Sequence, residues 1–242
     1  MKPSEVRKII GDVPYMTLDQ GETLTEFIHK NKIRDVLELG FCHGVSTCYI
    51  AAALAEQGGG SITSIDLEGA RNEKPNIEEL LTKLGLRDSV KCYYEHTSYT
   101  WRLMKFLEED PTPRFDFCFL DGAHNWFVDG FAFLLADRLL RRNGWFIFDD
   151  LHWIDGGSTA AGKAMSEEER NSAQVQKIYE VLVKPHPCYG DFKTEDRWAY
   201  AHKLTASVTD PAPVKMEHVV KVVPMPWARV GAKVRRLMGG AE

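Results

Sequence analysis

The sequence predicts an α/β fold: a doubly wound, mostly parallel, seven-stranded sheet whose last strand runs antiparallel. Three observations predict it. Five short apolar runs between Asp35 and Asp150 alternate with helical patterns, as in strands joined by crossover helices. The run FDFCFLD at 115–121 is apolar on both faces, as a central parallel strand should be. Two further β-type runs, near 186–193 and 197–202, flank a turn at 194–196 and close the sheet as an antiparallel pair.

Taken in order, residues 1–16 form a polar lead-in with Pro3 and Pro14, expected to pack loosely. From Thr17, Leu24, Phe27 and Ile28 fall at helical spacing, so a helix feeds the first strand, Asp35–Leu39. A helix follows over about 44–57, then a turn at GGGS and a second strand ending at Asp66. Residues 75–84 form an amphipathic helix behind Pro75, with Gly85 as its stop. The third strand, SVKCYY, leads through His96, Thr97 and Ser98 into another helix. The helix at 126–140 places Phe127, Phe131, Leu134 and Leu135 on one side, and WFIFDD is the fifth strand. The polar, glycine-rich stretch 154–172 reads as a lid or long loop, and a helix follows over 173–183.

This divides the chain into a helical lead-in (1–34), a ligand-binding domain (35–203) and an extension (204–242). The segment DPAP at 210–213 is the best linker. The basic tail beyond it, with Arg229, Lys233, Arg235 and Arg236, reads as packing on its own domain or on a second subunit of a homo-oligomer, ahead of a role at an anionic membrane surface.

Bulk properties narrow the function. The chain has 242 residues, 44% of them hydrophobic, enough for a substantial core. A net charge of −5 gives no general attraction to nucleic acid. Five cysteines without a CxxC pair indicate buried thiols in a reducing cytoplasm. No apolar run approaches the ~18 residues of a transmembrane segment.

The stretch DVLELGFCHGVST, 35–47, joins a strand, a glycine turn and a helix N-terminus. Such a junction can present backbone N–H groups to a nucleotide-like ligand, or be simply a tight turn. A dinucleotide motif needs glycines at the positions held here by Cys42 and Val45, and no lysine follows Gly44 as a Walker loop requires. Glu38, two residues before Gly40, would repel phosphates and suits a cationic or amine-bearing ligand.

Glu38, Gly40, Gly44 and Ser46 resemble the first motif of class I S-adenosylmethionine-dependent methyltransferases, and ELGFCHGVS is similar to their O-methyltransferase branch. The resemblance covers roughly residues 17–203 and implies a Rossmann-like fold. It implies that Glu38, Gly40, Gly44 and Ser46 seat S-adenosylmethionine, that Asp66 accepts hydrogen bonds from the ribose hydroxyls, and that Thr97 and Ser98 lie on the adenine side.

Asp121 ends the fourth strand, and Asp149 and Asp150 end the fifth, so one crevice receives three carboxylates. Such a cluster repels itself unless a cation neutralises it, and oxygen ligands suit Mg²⁺. The pattern resembles metal-dependent small-molecule O-methyltransferases, which implies Asp121, Asp149 and Asp150 as metal ligands, with Asp121 also near the cofactor. It implies His124 as general base, a role its ordinary pKa near ~6.5 suits, with Asp121 sharing the catalytic work. The alternative for His124 is a brace for its loop. Trp126, Phe127, Trp153 and Trp198 are the aromatics available to flank a small-molecule acceptor, although Phe127 reads as helix core.

Two other functions stay open. His124, Asp149 and His152 are the residue types of a metal-dependent hydroxylase on the same scaffold. A binding protein with a degenerate site is the third reading.

Overall fold

The computed structural model describes residues 1–207. Seven strands form one sheet in the order β3-β2-β1-β4-β5-β7-β6. They span Asp35–Leu39 (β1), Ser61–Leu67 (β2), Val90–Glu95 (β3), Phe115–Leu120 (β4), Leu140–Phe148 (β5), Tyr189–Glu195 (β6) and Trp198–Lys203 (β7). All pairings are parallel except those of β7 with β5 and β6. The order reverses between β1 and β4, which opens a crevice at their carboxyl ends.

Helices cover both faces because alternate strand residues point to opposite sides. Val36, Phe117, Phe119 and Ile147 join the core beneath α1 (Pro3–Ile10), α2 (Leu18–Lys30), α3 (Val45–Glu56) and α4 (Ile77–Leu84). Leu37, Leu39, Cys118, Leu120, Phe146 and Phe148 join the other, beneath α5 (Tyr99–Glu109) and α6 (Trp126–Leu139). The helix starts follow local chemistry: Thr17, Asn76, Ser98 and Asn125 each accept a backbone N–H from the first turn. Gly85 stops α4 in the left-handed conformation.

Three sequence expectations change. The lead-in is not loose: Val6 and Ile10 of α1 are buried among α2, α3 and α4. On α6 the expected apolar side is the outer one, with Phe127, Phe131 and Leu134 exposed, while Gly130, Ala132, Phe133 and Ala136 face the core. Phe127 is therefore not core. The stretch 154–172 folds into α7 (Ala160–Ala164) and α8 (Glu167–Arg170). Asp155 accepts hydrogen bonds from Gly157 and Thr159 there, and Gln174 of α9 (Gln174–Ile178) donates to the Glu169 carbonyl.

The start of the extension is tied down, because the Ser207 hydroxyl donates to Asp137 at 2.6 Å. The linker at 210–213 and the basic tail lie outside the described residues. Among the described residues, no helix is long and apolar enough to cross a membrane.

Candidate active site

Strand register assembles the site. Leu39 pairs with Ile65 and Leu120, and Leu120 pairs with Phe148. The next residues along these four strands are therefore aligned: Gly40, Asp66, Asp121 and Asp149. Backbone hydrogen bonds continue the ladder, with Gly40 N–H donating to Ile65 O, Asp121 N–H to Leu39 O and Asp149 N–H to Leu120 O, each at 2.9 Å.

The glycines of the first turn have separate reasons. Gly40 has φ +88°, and a Cβ there would lie 1.9 Å from the Asp121 carbonyl oxygen. Gly44 has φ +89° and begins α3, where a Cβ would strike Ile77. Cys42 between them adopts φ 47° without being glycine. Asp66 holds this turn: its Oδ2 accepts the N–H groups of Phe41 and Cys42 at 2.8 and 2.7 Å. A carboxylate offers about four acceptor positions, so Asp66 retains capacity for a ligand hydroxyl.

Glu38 is placed differently from the sequence expectation. Its carboxyl is fully buried and accepts from the Ser46, Thr47 and Ser64 hydroxyls, each at 2.6 Å. It joins β1 to β2 and α3 instead of presenting charge to the crevice. Ser46 gives its hydroxyl to the same bond. Burial raises the Glu38 pKa from its ordinary 4.5 to about 7, against the lowering effect of the three hydroxyls.

Thr97 is exposed, and Ser98 accepts the Thr100 N–H as the cap of α5. His43 is not a free group at the turn. Its Nδ1 lies 2.7 Å from the Pro75 carbonyl and its Nε2 3.3 Å from Glu73.

At the ends of β4 and β5 the expected trio of carboxylates does not converge as a set. His124 Nε2 lies between Asp121 and Asp150, 3.2 Å from Asp121 Oδ1 and 3.3 Å from Asp150 Oδ2. Asp149 instead turns to Arg197, whose Nε donates to its Oδ1 at 2.7 Å, and the Arg197 fork also reaches Asp150. Among the described residues, the remaining oxygen of Asp149 is buried without a hydrogen-bond partner. Burial and the nearby Asp121 charge raise the Asp149 pKa to about 7, despite Arg197. For His124, burial pulls the pKa down, but the Asp121 hydrogen bond and neighbouring carboxylates leave it raised above 6.5.

The donor set differs from the three carboxylates expected for Mg²⁺, with His124 in the place of Asp149. The ligating atoms that lie close together belong to Asp121, His124 and Asp150, whereas Mg²⁺ favours oxygen ligands. Arg197 already pairs with Asp149 and Asp150. His152, the second imidazole of the hydroxylase reading, is exposed beside Gln176 and does not join them.

The loop carrying His124 is braced from below. The Tyr99 hydroxyl donates to buried Asp129 and accepts the Ala123 N–H at 3.1 Å. His124 and Asp150 both have positive φ, 52° and 55°, strain of the sort that collects at functional sites. Trp153 packs against His124 with ring centroids 5.1 Å apart, and Trp198 is buried at the start of β7. Trp126 is exposed. Sequence reasoning missed Arg197, Asp129 and Tyr99. Only the apolar neighbours of Asp129 within α6 hinted that it is buried.

Comparison with known proteins agrees with the fold. Residues 37–151 match the model of a methyltransferase domain. No curated protein matches the chain in sequence. Among solved structures, an O-methyltransferase from Bacillus cereus in complex with S-adenosylhomocysteine is 20% identical, with TM-score 0.61, covering 84% of this chain and 90% of that one. The O-methyltransferase TomG from Streptomyces achromogenes, involved in tomaymycin synthesis and bound to S-adenosylmethionine, is 20% identical over 84% and 88%, with TM-score 0.59. The Podospora anserina methyltransferase PaMTH1, bound to S-adenosylhomocysteine, is 16% identical over 84% and 86%, with TM-score 0.60. Residues 37–151 thus match a methyltransferase domain model, and the chain shares the fold of these methyltransferase structures.

Proposed function

We propose that this domain methylates a hydroxyl group of a small molecule, with His124 as general base. The observation that carries the reading is the position of His124 Nε2 between two carboxylates, beside the glycine turn in strand register. When bound, S-adenosylmethionine supplies an electrophilic methyl group on a sulfonium centre. Gly40 and Gly44 shape the turn that would seat it, and Asp66 would accept from its ribose. Thr97 and Ser98 would lie on its adenine side, with Asp121 near it.

His124 would then take the acceptor's hydroxyl proton on Nδ1, because Nε2 carries the hydrogen bonded to the carboxylates, and the freed oxygen would take the methyl group as S-adenosylhomocysteine leaves. Asp121 and Asp150 hold the imidazole and stabilise the imidazolium that forms, a contribution on the order of 10²–10⁴-fold in rate for general base catalysis. The rest of the barrier is lowered by positioning. Magnesium has no place in this reading, because Arg197 supplies the positive charge beside Asp149 and Asp150. Five free thiols support a reducing, cytoplasmic location. His124→Ala should depress turnover far more than S-adenosylhomocysteine affinity; equal loss of both would make His124 a brace of its loop.

A further inference from the structure

We infer that Arg197 is the fixed cation of this site and excludes divalent metal from it. The inference rests on the proposed function only for what the crevice does, since the contacts of Arg197 stand independently. Arg197 lies in the two-residue turn between β6 and β7, and its carbonyl accepts the Leu151 N–H at 2.9 Å. That bond pins the turn to the end of β5, where Asp149 and Asp150 emerge. The guanidinium then reaches both carboxylates with separate nitrogens, Nε to Asp149 and a terminal nitrogen to Asp150.

The chemistry favours arginine for this task. Its planar fork serves two carboxylates at once and keeps its charge at any working pH. Asp149 is almost fully buried, and a buried carboxylate requires a partner. A divalent ion would have to bind Asp150 against a resident guanidinium, and its own charge would repel that group. Asp121, His124 and Asp150 still offer three ligating atoms close together. Arg197 is therefore the difference between a metal site and a site that carries its own cation.

Arg197 has a second face. It helps line a cavity of about 560 Å³ with Val13, Pro14, Tyr15 and Met16 of the segment between α1 and α2. The same guanidinium therefore borders a space large enough for an acceptor molecule.

The test reads metal binding directly. Mn²⁺ is titrated into the wild type, Arg197→Gln and Arg197→Lys, and bound ion is counted by electron paramagnetic resonance. S-adenosylhomocysteine binding is measured alongside. The expected result is no saturable Mn²⁺ site in the wild type and a saturable one in Arg197→Gln, with affinity at least about tenfold above any residual wild-type binding. The new site should vanish again in Arg197→Gln with Asp150→Asn. Arg197→Lys keeps a cation and should bind Mn²⁺ more weakly than Arg197→Gln. If loss of charge unfolds the Gln variant, wild type against Arg197→Lys decides, because a point charge leaves one carboxylate uncovered and should admit some Mn²⁺. Equal Mn²⁺ affinity in wild type and variants overturns the inference, as does no binding in any of them. Failure of the wild type to bind S-adenosylhomocysteine counts instead against the proposed function.

Discussion

Glu38→Gln probes the buried centre of the glycine turn. The side chain sits under three hydroxyl donors, and burial raises its pKa from 4.5 to about 7. The folded state therefore holds a proton that the unfolded chain releases. Its stabilising effect is fully present below pH 4.5 and is lost as pH rises through about 7. At about 1.4 kcal/mol per decade of proton affinity, the gap amounts to about 3 kcal/mol. Glutamine is neutral at every pH and removes this dependence, while one hydroxyl must turn round to accept from its amide. Urea melts of wild type and variant across this range measure the difference, and other titrating groups cancel between the two. The wild type should lose about 3 kcal/mol relative to the variant on going from pH 4 to pH 8. A flat difference, or one that rises with pH, would contradict a protonated Glu38, because the three hydroxyls would then be holding an ionised carboxylate. S-adenosylhomocysteine affinity should be unchanged, since Glu38 does not face the crevice.

Other perturbations have distinct signatures. Gly40→Ala drives a Cβ against the Asp121 carbonyl at a positive φ and should cost on the order of 2–4 kcal/mol in a denaturant melt, with cofactor affinity falling as well. The raised pKa of His124 should set the acidic limb of a kcat/KM profile above pH 6.5, with rate increasing as the imidazole loses its proton; a limb below pH 6.5 would contradict its carboxylate environment. Lys203 is buried and donates to the Asp137 and Leu140 carbonyls at 2.6 and 2.8 Å. Lys203→Ala should destabilise by about 3–5 kcal/mol, because Asp137 loses its buried cation, and a melt near wild type would show that Tyr189 and Ser207 satisfy Asp137 alone.

Much of this architecture is legible in the residues themselves. The apolar runs at 35–39 and 115–120 can only be buried strands, and they carry Gly40 and Asp121 to adjacent strand ends. His124 and Asp66 follow from their distances to those ends. What could not be read depends on three-dimensional partners. Arg197 is 47 residues from Asp150, and nothing local marks a hairpin arginine as the counter-charge of a distant carboxylate. Glu38 and Ser46 look like ligand contacts because the motif is compact, yet their side chains bond each other. On α6, apolar residues lie all round the helix, so spacing alone cannot say which side is covered. Phe133 went inward and Phe131 outward. Val6 and Ile10 stand one helical turn apart, but so short a helix between prolines gives little signal.

Calorimetric titration with S-adenosylhomocysteine decides whether the glycine turn seats a methyl donor. One site per chain with micromolar affinity is predicted. No heat of binding at millimolar ligand, from protein that melts cooperatively, would contradict it.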